Sequence, residues 1–220
     1  MSTPRVIGVL GGMGPAATVD LMSRVIAAVP ASDDAGHVPM LVAQNTQVPS
    51  RIAALIDGQG EDPLPVLIKT AQDLQAAGAM ALAMPCNTAH HYAAGIADAV
   101  DVPFLNMITL TSQAVQGRVG ILGSPALQKV GVFDDALPGA LYPRDPGPLL
   151  EAIRDIKAHG PTDAARAALR TASQDLTAQG ADTQIIACTE FSLIADVIAA
   201  PSIDTVDILT DAIVAFSIKG

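Results

Sequence analysis

Two cysteines end two copies of one local pattern, and the chain contains no other cysteine. Residues 73–79 read DLQAAGA and lead through an apolar run to Cys86, whereas residues 175–181 read DLTAQGA and lead to Cys188. The glycine-to-cysteine distance is eight residues in both copies. A duplicated unit that ends in one thiol predicts two thiols related by pseudo-symmetry. Two opposed thiols can remove a proton from one face of a carbon and return it on the other face, so the pattern favours a racemase.

The elements around the thiols suit this chemistry. Each cysteine follows an apolar strand and precedes a helical stretch, and ligands of open α/β sheets bind beyond the carboxyl ends of the strands. A helix start supplies N–H groups and partial positive charge, which predicts a lowered thiol pKa and a cradle for a carboxylate. The side chains of Asn87, Thr88 and Thr189 add donors directly after the thiols.

Short apolar runs alternate with helical stretches along the chain, which predicts an α/β fold with parallel sheets. The segment RVGILGS at 118–124 echoes RVIGVLG at 5–11, so the second half repeats the first. We expect two pseudo-symmetric parallel-sheet α/β domains with the active site between them. The expected domains are residues 1–106, joined by a C-terminal helix at 205–220, and residues 107–204. The alternation predicts strands at 6–10, 38–43, 80–84, 103–105 and 183–187, and helices at 16–28, 50–56, 64–77, 88–99, 149–158, 162–179, 190–199 and 207–217.

Composition excludes several classes of partner. The net charge is −10 and tryptophan is absent, and no cluster of lysine or arginine occurs, so a nucleic-acid partner is not expected. No apolar stretch approaches the ~20 residues that span a bilayer, and no signal-peptide pattern occurs, which predicts a cytoplasmic protein with no membrane partner. In an acidic protein, a site for an anionic ligand must carry local positive charge.

Other roles for the cysteines are weaker. A structural disulfide is not expected in a cytosolic chain of this size. The pair His90-His91 near Cys86 lacks the further ligands that a metal site needs. One cysteine per half provides no C-x-x-C redox motif. A small core residue remains the alternative for each thiol taken singly.

The turn Gly11–Gly14 reads GGMG and follows the first strand. It is neither the spaced G-x-G-x-x-G fingerprint nor a P-loop, which would end in Gly-Lys-Ser/Thr. Close backbone approach to a small ligand is the better functional interpretation, with a plain tight turn as the alternative. Met13 and Gly14 are therefore candidate substrate-binding residues.

The segments GGMGPAAT at 11–18, PCNTAH at 85–90 and ACTE at 187–190 together resemble the aspartate racemase branch of the aspartate/glutamate racemase family. The resemblance covers nearly the whole chain, with the motifs in the same order. It implies two pseudo-symmetric domains, an interdomain site, no pyridoxal phosphate or other cofactor, no metal, and a homodimer. By the same resemblance Cys86 and Cys188 match the two catalytic thiols, and Asn87, Thr88 and Thr189 match substrate-binding residues.

Further site residues come from the same resemblance. The segment NTQVPSR at 45–51 resembles the family stretch whose arginine grips the distal carboxylate, which points to Arg51, and IKAHG at 156–160 points to Lys157. A solvated surface charge is the alternative for each. Ser124, which stands where threonine is frequent, is a further candidate substrate contact.

Two more residues have a supporting role. His90 would orient or tune Cys86, with a buried structural histidine as the alternative, and Glu190 completes the second cysteine motif. The sequence departs from the family pattern at three local positions. Ala187 stands for glycine, and Phe191-Ser192 stands for an aliphatic residue and proline. These changes put the choice of substrate in more doubt than the type of reaction.

The sequence thus predicts a cofactor-independent racemase that interconverts L- and D-aspartate, with glutamate as an alternative substrate. The reaction would run through thiol and thiolate on Cys86 and Cys188. A decarboxylase or a cis-trans isomerase of a small diacid is a related alternative, and so is a ligand-binding homologue without turnover. The expected partner is a small acidic amino acid.

Overall fold

A computed structural model describes residues 3–219 and contains two parallel β-sheets flanked by helices. The first sheet has the strand order β2-β1-β3-β4 and the second has the order β5-β6-β7. Every strand pair is parallel, which confirms the predicted α/β class. The strands are β1 (Ile7–Gly11), β2 (Met40–Gln44), β3 (Ala81–Ala83), β4 (Phe104–Leu105), β5 (Val119–Gly123), β6 (Thr183–Ala187) and β7 (Ser202–Asp204).

Helices connect these strands and cover the sheets. In the described range 3–219, none is long and apolar enough to cross a membrane. The α-helices are α1 (Pro15–Ala28), α2 (Leu64–Ala76), α3 (Ala93–Ala97), α4 (Met107–Ala114), α5 (Pro125–Lys129), α6 (Gly147–His159), α7 (Asp163–Ala178), α8 (Thr189–Ser192) and α9 (Thr205–Val214). Short 3-10 or π segments occupy Asp34–Gly36, Ala53–Asp57, Thr88–Tyr92, Ala195–Val197 and Ala215–Lys219.

The repeated sequence pattern has a packing role in both halves. Gly8 is the second residue of β1 and Gly120 is the second residue of β5, so they occupy equivalent places in the two halves. A Cβ atom on Gly8 would lie 3.2 Å from the Cβ of Leu74, and one on Gly120 would lie 3.2 Å from the Cβ of Leu176. These leucines are the equivalent members of the two repeat copies. The duplicated pattern therefore packs a helix closely against the first strand of each sheet.

The last helix returns to the first half of the chain, where α9 buries Leu209 and Ile213 in one core with Ile7 of β1. Helix α4 connects the halves, since Met107 belongs to that core and Ile108 belongs to a core of the second half. The domain boundary after residue 106 stays a prediction.

Three predicted helices differ from the observed elements, and the one expected at 50–56 is the π segment Ala53–Asp57. The helix expected at 190–199 is only the four-residue α8 followed by a 3-10 turn, because tertiary contacts override helical periodicity here. Phe191 and Ile194 are fully buried, and the Ser192 hydroxyl donates to Asp204. The helix expected at 88–99 begins as a 3-10 segment. Helix α4 and strand β7 were not predicted.

Candidate active site

One cleft gathers ten of the twelve sequence-predicted site residues in its wall. It has about 440 Å³ of empty space, including its open mouth. Both thiols line it, and each cysteine is 8% exposed. Of the two remaining residues, Gly14 lines an adjoining cavity and His90 is buried close to Cys86.

The thiols lie at the carboxyl ends of equivalent strands. Cys188 follows β6 directly, and Cys86 lies three residues beyond the end of β3. These strands pair with the first strand of the second and the first sheet, respectively. The carboxyl ends of two separate parallel sheets thus meet at one cleft, which is where ligands of such sheets bind.

A carboxylate and an ammonium group accompany the second thiol. The Cys188 Sγ–H donates to Glu190 Oε2 at 3.1 Å, and the other oxygen of Glu190 lies 3.4 Å from Lys157 Nζ. Burial raises the pKa of the Cys188 thiol well above its ordinary value, and the negative charge of Glu190 adds to the shift, whereas Lys157 opposes it.

The prediction of a lowered thiol pKa is therefore wrong for Cys188. Helix α8, which follows it, has only four residues. The partial charge of so short a helix does not outweigh burial together with an adjacent carboxylate.

A hydrogen-bonded chain orients the amide of Asn87. The Thr205 hydroxyl donates to the carbonyl of Ile186 at 3.0 Å, so it must accept from Asn87 Nδ2, which lies 2.9 Å away. The buried Asn87 Oδ1 has no hydrogen-bond partner among the described residues. Asn87 was expected to act only as a donor, yet it also presents a free acceptor.

Sequence reasoning missed Thr205, although a signal was available. Asp204 caps α9 by accepting from the Val206 amide, just as Asn106 caps α4 by accepting from the Ile108 amide. Asn106 directly follows β4 and Asp204 is the last residue of β7, so the repeat could have indicated the start of α9 at Thr205.

His90 contacts the backbone near Cys86 rather than its sulfur. Its Nδ1–H donates to the Cys86 carbonyl at 2.9 Å, and its Nε2 accepts from the Met107 amide at 3.1 Å. Burial lowers the pKa of His90 from 6.5 to about 4, so the ring is neutral near pH 7. This geometry favours the buried structural role.

The guanidinium of Arg51 is held by backbone oxygens. Nη1 donates to the carbonyls of Val48 and Pro49 at 3.3 and 2.9 Å, and Nη2 donates to the carbonyl of Met13 at 3.4 Å. Within residues 3–219 these contacts include no carboxylate, and the buried Nε has no partner. Arg51 therefore brings a fixed and uncompensated positive charge to the cleft wall.

The glycine-rich turn shapes the wall beside Arg51. Gly12 has φ +89°, and a Cβ there would lie 2.4 Å from the backbone carbonyl of Asn45. This turn places Met13 in the wall of the cleft. At Gly14 a Cβ would lie 3.1 Å from Glu190 Oε1, so the small residue leaves room for that carboxylate.

Three hydroxyl groups complete the predicted set. Thr88 is partly exposed and Thr189 is buried, and both line the cleft. The Ser124 hydroxyl also lines it and caps α5 by accepting from the Ala126 amide at 3.3 Å. Across residues 3–219, no group of three or more His, Cys, Asp or Glu residues is placed to hold a metal ion.

Two parallel sheets that meet at one cleft are the architecture of an amino-acid racemase with a solved structure, described below. Residues 10–213 match the family described as Asp/Glu/Hydantoin racemase, and the chain belongs to that family. It is 27% identical to the broad specificity amino-acid racemase RacX of Bacillus subtilis, over 90% of this chain and 92% of that protein.

Solved structures agree with the family assignment. The aspartate racemase of Picrophilus torridus is similar with a TM-score of 0.84 and 25% identity, over 96% of this chain and 93% of that one. An aspartate racemase homologue from Pyrococcus horikoshii has the same fold, with a TM-score of 0.72 and 18% identity, over 96% of this chain and 97% of that one.

Proposed function

We propose that the protein interconverts L- and D-aspartate without a cofactor, with Cys86 and Cys188 as the two proton-transferring groups. The observation that carries the proposal is that both thiols line one cleft together with the uncompensated charge of Arg51. The similarity to the aspartate racemase of Picrophilus torridus supports the choice of substrate.

In this proposal each polar group of an amino diacid has a complementary partner in the cleft. Arg51 and Lys157 would hold the side-chain carboxylate, since a dicarboxylate needs a cationic contact remote from its reacting carbon. Donors at Thr88 and Thr189 would hold the α-carboxylate. The free Oδ1 of Asn87 would accept an N–H of the α-ammonium group, because buried acceptors without a partner are costly until a ligand satisfies them.

The reaction balances with one proton moving in and one moving out. One cysteine, as thiolate, takes the α-proton and becomes a thiol, while the other thiol gives its proton to the opposite face and becomes a thiolate. The α-proton is far less acidic than a thiol, so the carbanion needs fixed donors in a water-poor cleft. The donors around the α-carboxylate would supply that stabilisation as charge spreads into it.

A longer substrate is the second candidate, because a cavity adjoins the cleft. That cavity shares Arg51, Lys157 and Glu190 with the cleft and has about 1210 Å³ of empty space, including its mouth. One additional methylene group changes binding by only ~1–3 kcal/mol. The broad specificity of the relative from Bacillus subtilis also supports testing glutamate and larger amino acids.

The test is incubation of the purified, reduced protein with L-aspartate in deuterated water. Optical rotation and deuterium at the α-carbon are followed together for the parent protein and for Cys86→Ala and Cys188→Ala. Loss of rotation with deuterium uptake is the expected result for the parent protein, and racemisation should be abolished in both variants. Racemisation that survives either substitution would contradict the two-thiol mechanism.

The same assay separates the alternatives. Glutamate and other amino acids are compared with aspartate under identical conditions, and release of carbon dioxide from a small diacid would favour a decarboxylase. Binding of aspartate without any exchange would favour a ligand-binding homologue. We also propose a homodimer, which light scattering of the purified protein tests.

A further inference from the structure

The buried carboxylate of Glu190 has a placement that substrate binding does not require. Glu190 is 7% exposed, and its two oxygens face different groups: Oε2 accepts from Cys188, and Oε1 lies 3.4 Å from Lys157 Nζ. Burying a carboxylate is costly, and the Lys157 side chain, 38% exposed, offsets that cost only in part. The negative charge of the Glu190 carboxylate therefore acts on the Cys188 thiol in contact with it and favours the protonated form of that thiol.

The two thiols differ in this respect. Two residues after Cys188 stands Glu190, whereas two residues after Cys86 stands Thr88, which carries no charge. The duplicated halves are thus chemically unequal at the place where the reaction needs one acid and one base. The other charged or titratable groups that line the cleft around Cys188 are Arg51 and Lys157, besides Cys86 itself.

We propose that Glu190 is a positioning residue that breaks the symmetry between the thiols by holding Cys188 as the protonated partner of the pair. Lys157, on the other oxygen of Glu190, sets the strength of this effect. The inference rests on the proposed function, since Lys157 is also expected to bind the distal carboxylate of the substrate. A diacid that attracts the Lys157 ammonium group would leave Glu190 less neutralised and strengthen its hold on the Cys188 proton.

The proton count follows from this arrangement. In one direction the Cys86 thiolate takes the α-proton, and Cys188 gives its own proton to the opposite face, which leaves a thiolate beside the Glu190 carboxylate. Repulsion between these negative charges favours return of one proton from Cys86 to Cys188 before the next turnover. A catalyst cannot change the one-to-one equilibrium of two enantiomers. The value of kcat/KM must therefore be the same in both directions, whereas kcat and KM taken separately can differ between the two directions.

The test measures the Cys188 proton directly and needs no turnover. In a Cys86→Ala background Cys188 is the only thiol, so its reaction with iodoacetamide, a neutral reagent, can be followed by intact mass as a function of pH. Only the thiolate reacts, so the midpoint of the rate profile reports the thiol pKa. Glu190→Gln should lower this midpoint by about 1–3 pH units, the size of shift that an opposite charge within ~4–6 Å produces, because a like charge at similar distance acts with comparable strength.

Three further variants complete the design. Lys157→Met should raise the midpoint, because it removes an ammonium group that favours the thiolate. Glu190→Asp should give a midpoint between those of the parent and Glu190→Gln. Glu151→Gln is the matched control, since Glu151 is an exposed carboxylate on the same helix as Lys157 and pairs with Arg154. It should leave the midpoint unchanged.

An unchanged midpoint in Glu190→Gln would overturn the inference, and so would shifts of the same sign for Glu190→Gln and Lys157→Met. General damage to the fold cannot produce shifts of opposite sign, so instability does not imitate the expected result. The outcome is also separate from that of the deuterium experiment. A protein that shows the shifts but no racemisation would retain the inference about the thiol while losing the proposed function.

Discussion

The Nδ2 atom of Asn87 lies 2.9 Å from the Thr205 hydroxyl, although 118 residues separate the two in sequence. The same hydroxyl donates to Ile186, two residues before Cys188. One side chain at the start of α9 thus joins the loop after the first thiol to the strand that leads to the second. This bridge is buried, so the position of each thiol loop depends on the other.

Replacing Thr205 should therefore weaken both the fold and the site. Thr205→Val keeps the shape but leaves the Asn87 amide and the Ile186 carbonyl without their partner, and each unsatisfied buried group costs about 1–3 kcal/mol. We expect a lower free energy of unfolding in urea and a higher KM for aspartate. Thr205→Ser is the control, because it retains the hydroxyl. A larger effect of Thr205→Ser than of Thr205→Val would show that the methyl group, and not the bridge, is responsible.

His90 should make the stability of the protein depend on pH in the weakly acidic range. Its pKa falls from 6.5 to about 4 in the folded state, so the unfolded chain takes up a proton at a pH where the folded protein does not. The contribution of neutral His90 is present above pH 6.5 and is lost as the pH falls towards 4. It corresponds to roughly 3 kcal/mol of unfolding free energy.

Urea unfolding at several pH values between 7 and 4 measures this contribution. His90→Gln removes the titrating ring and should reduce the loss of stability on acidification, although the variant is less stable near pH 7. His91→Gln, which changes the exposed neighbouring histidine, should keep the slope of the parent protein. If His90→Gln has the parent slope, the pH dependence arises from other groups.

Local sequence features predict part of this fold, whereas long-range contacts leave no local pattern in the sequence. The alternation of strands and helices and the positions of both thiols follow from short motifs, and these predictions required no knowledge of packing. The bridge through Thr205 and the raised pKa of Cys188 depend on contacts that only the folded chain creates. Strand β7 has three residues and is too short to show a periodic pattern.

Arg24 should stabilise the junction near the second cysteine loop through Asp204. Nη1 of Arg24 lies 3.0 Å from Asp204, which also accepts from the Ser192 hydroxyl and the Val206 amide. Burial raises the pKa of Asp204, and Arg24 opposes that shift. Breaking a fully buried pair costs roughly 3–5 kcal/mol, and we expect about half of this for Arg24→Met, since the arginine side chain is 23% exposed.

Acidification should reveal the cause of this loss. Without Arg24, the folded-state pKa of Asp204 rises further above its unfolded value, so the deficit in unfolding free energy is present at neutral pH and shrinks as the pH falls and the carboxyl group takes up a proton. Lys69→Met serves as the control, because the Lys69–Asp73 pair is exposed on α2 and contributes ~0–1 kcal/mol. A deficit of Arg24→Met that does not change with pH would argue for lost packing instead.

The turn at Gly12 should tolerate no side chain. A substitution there should lower the stability of the fold and also weaken substrate binding. An L-residue at positive φ costs about 1–2 kcal/mol, and in Gly12→Ala the Cβ must also displace the Asn45 backbone 2.4 Å away. Gly78→Ala is the matched control: its φ is +104°, but among the described residues nothing lies within 4 Å of the new Cβ. We expect Gly12→Ala to lose clearly more unfolding free energy than Gly78→Ala.

The same turn carries Met13, whose carbonyl accepts from Arg51. Gly12→Ala should therefore also raise KM for aspartate, whereas Gly78→Ala should not. Equal stability losses with an unchanged KM would mean that the turn moves aside without disturbing the cleft.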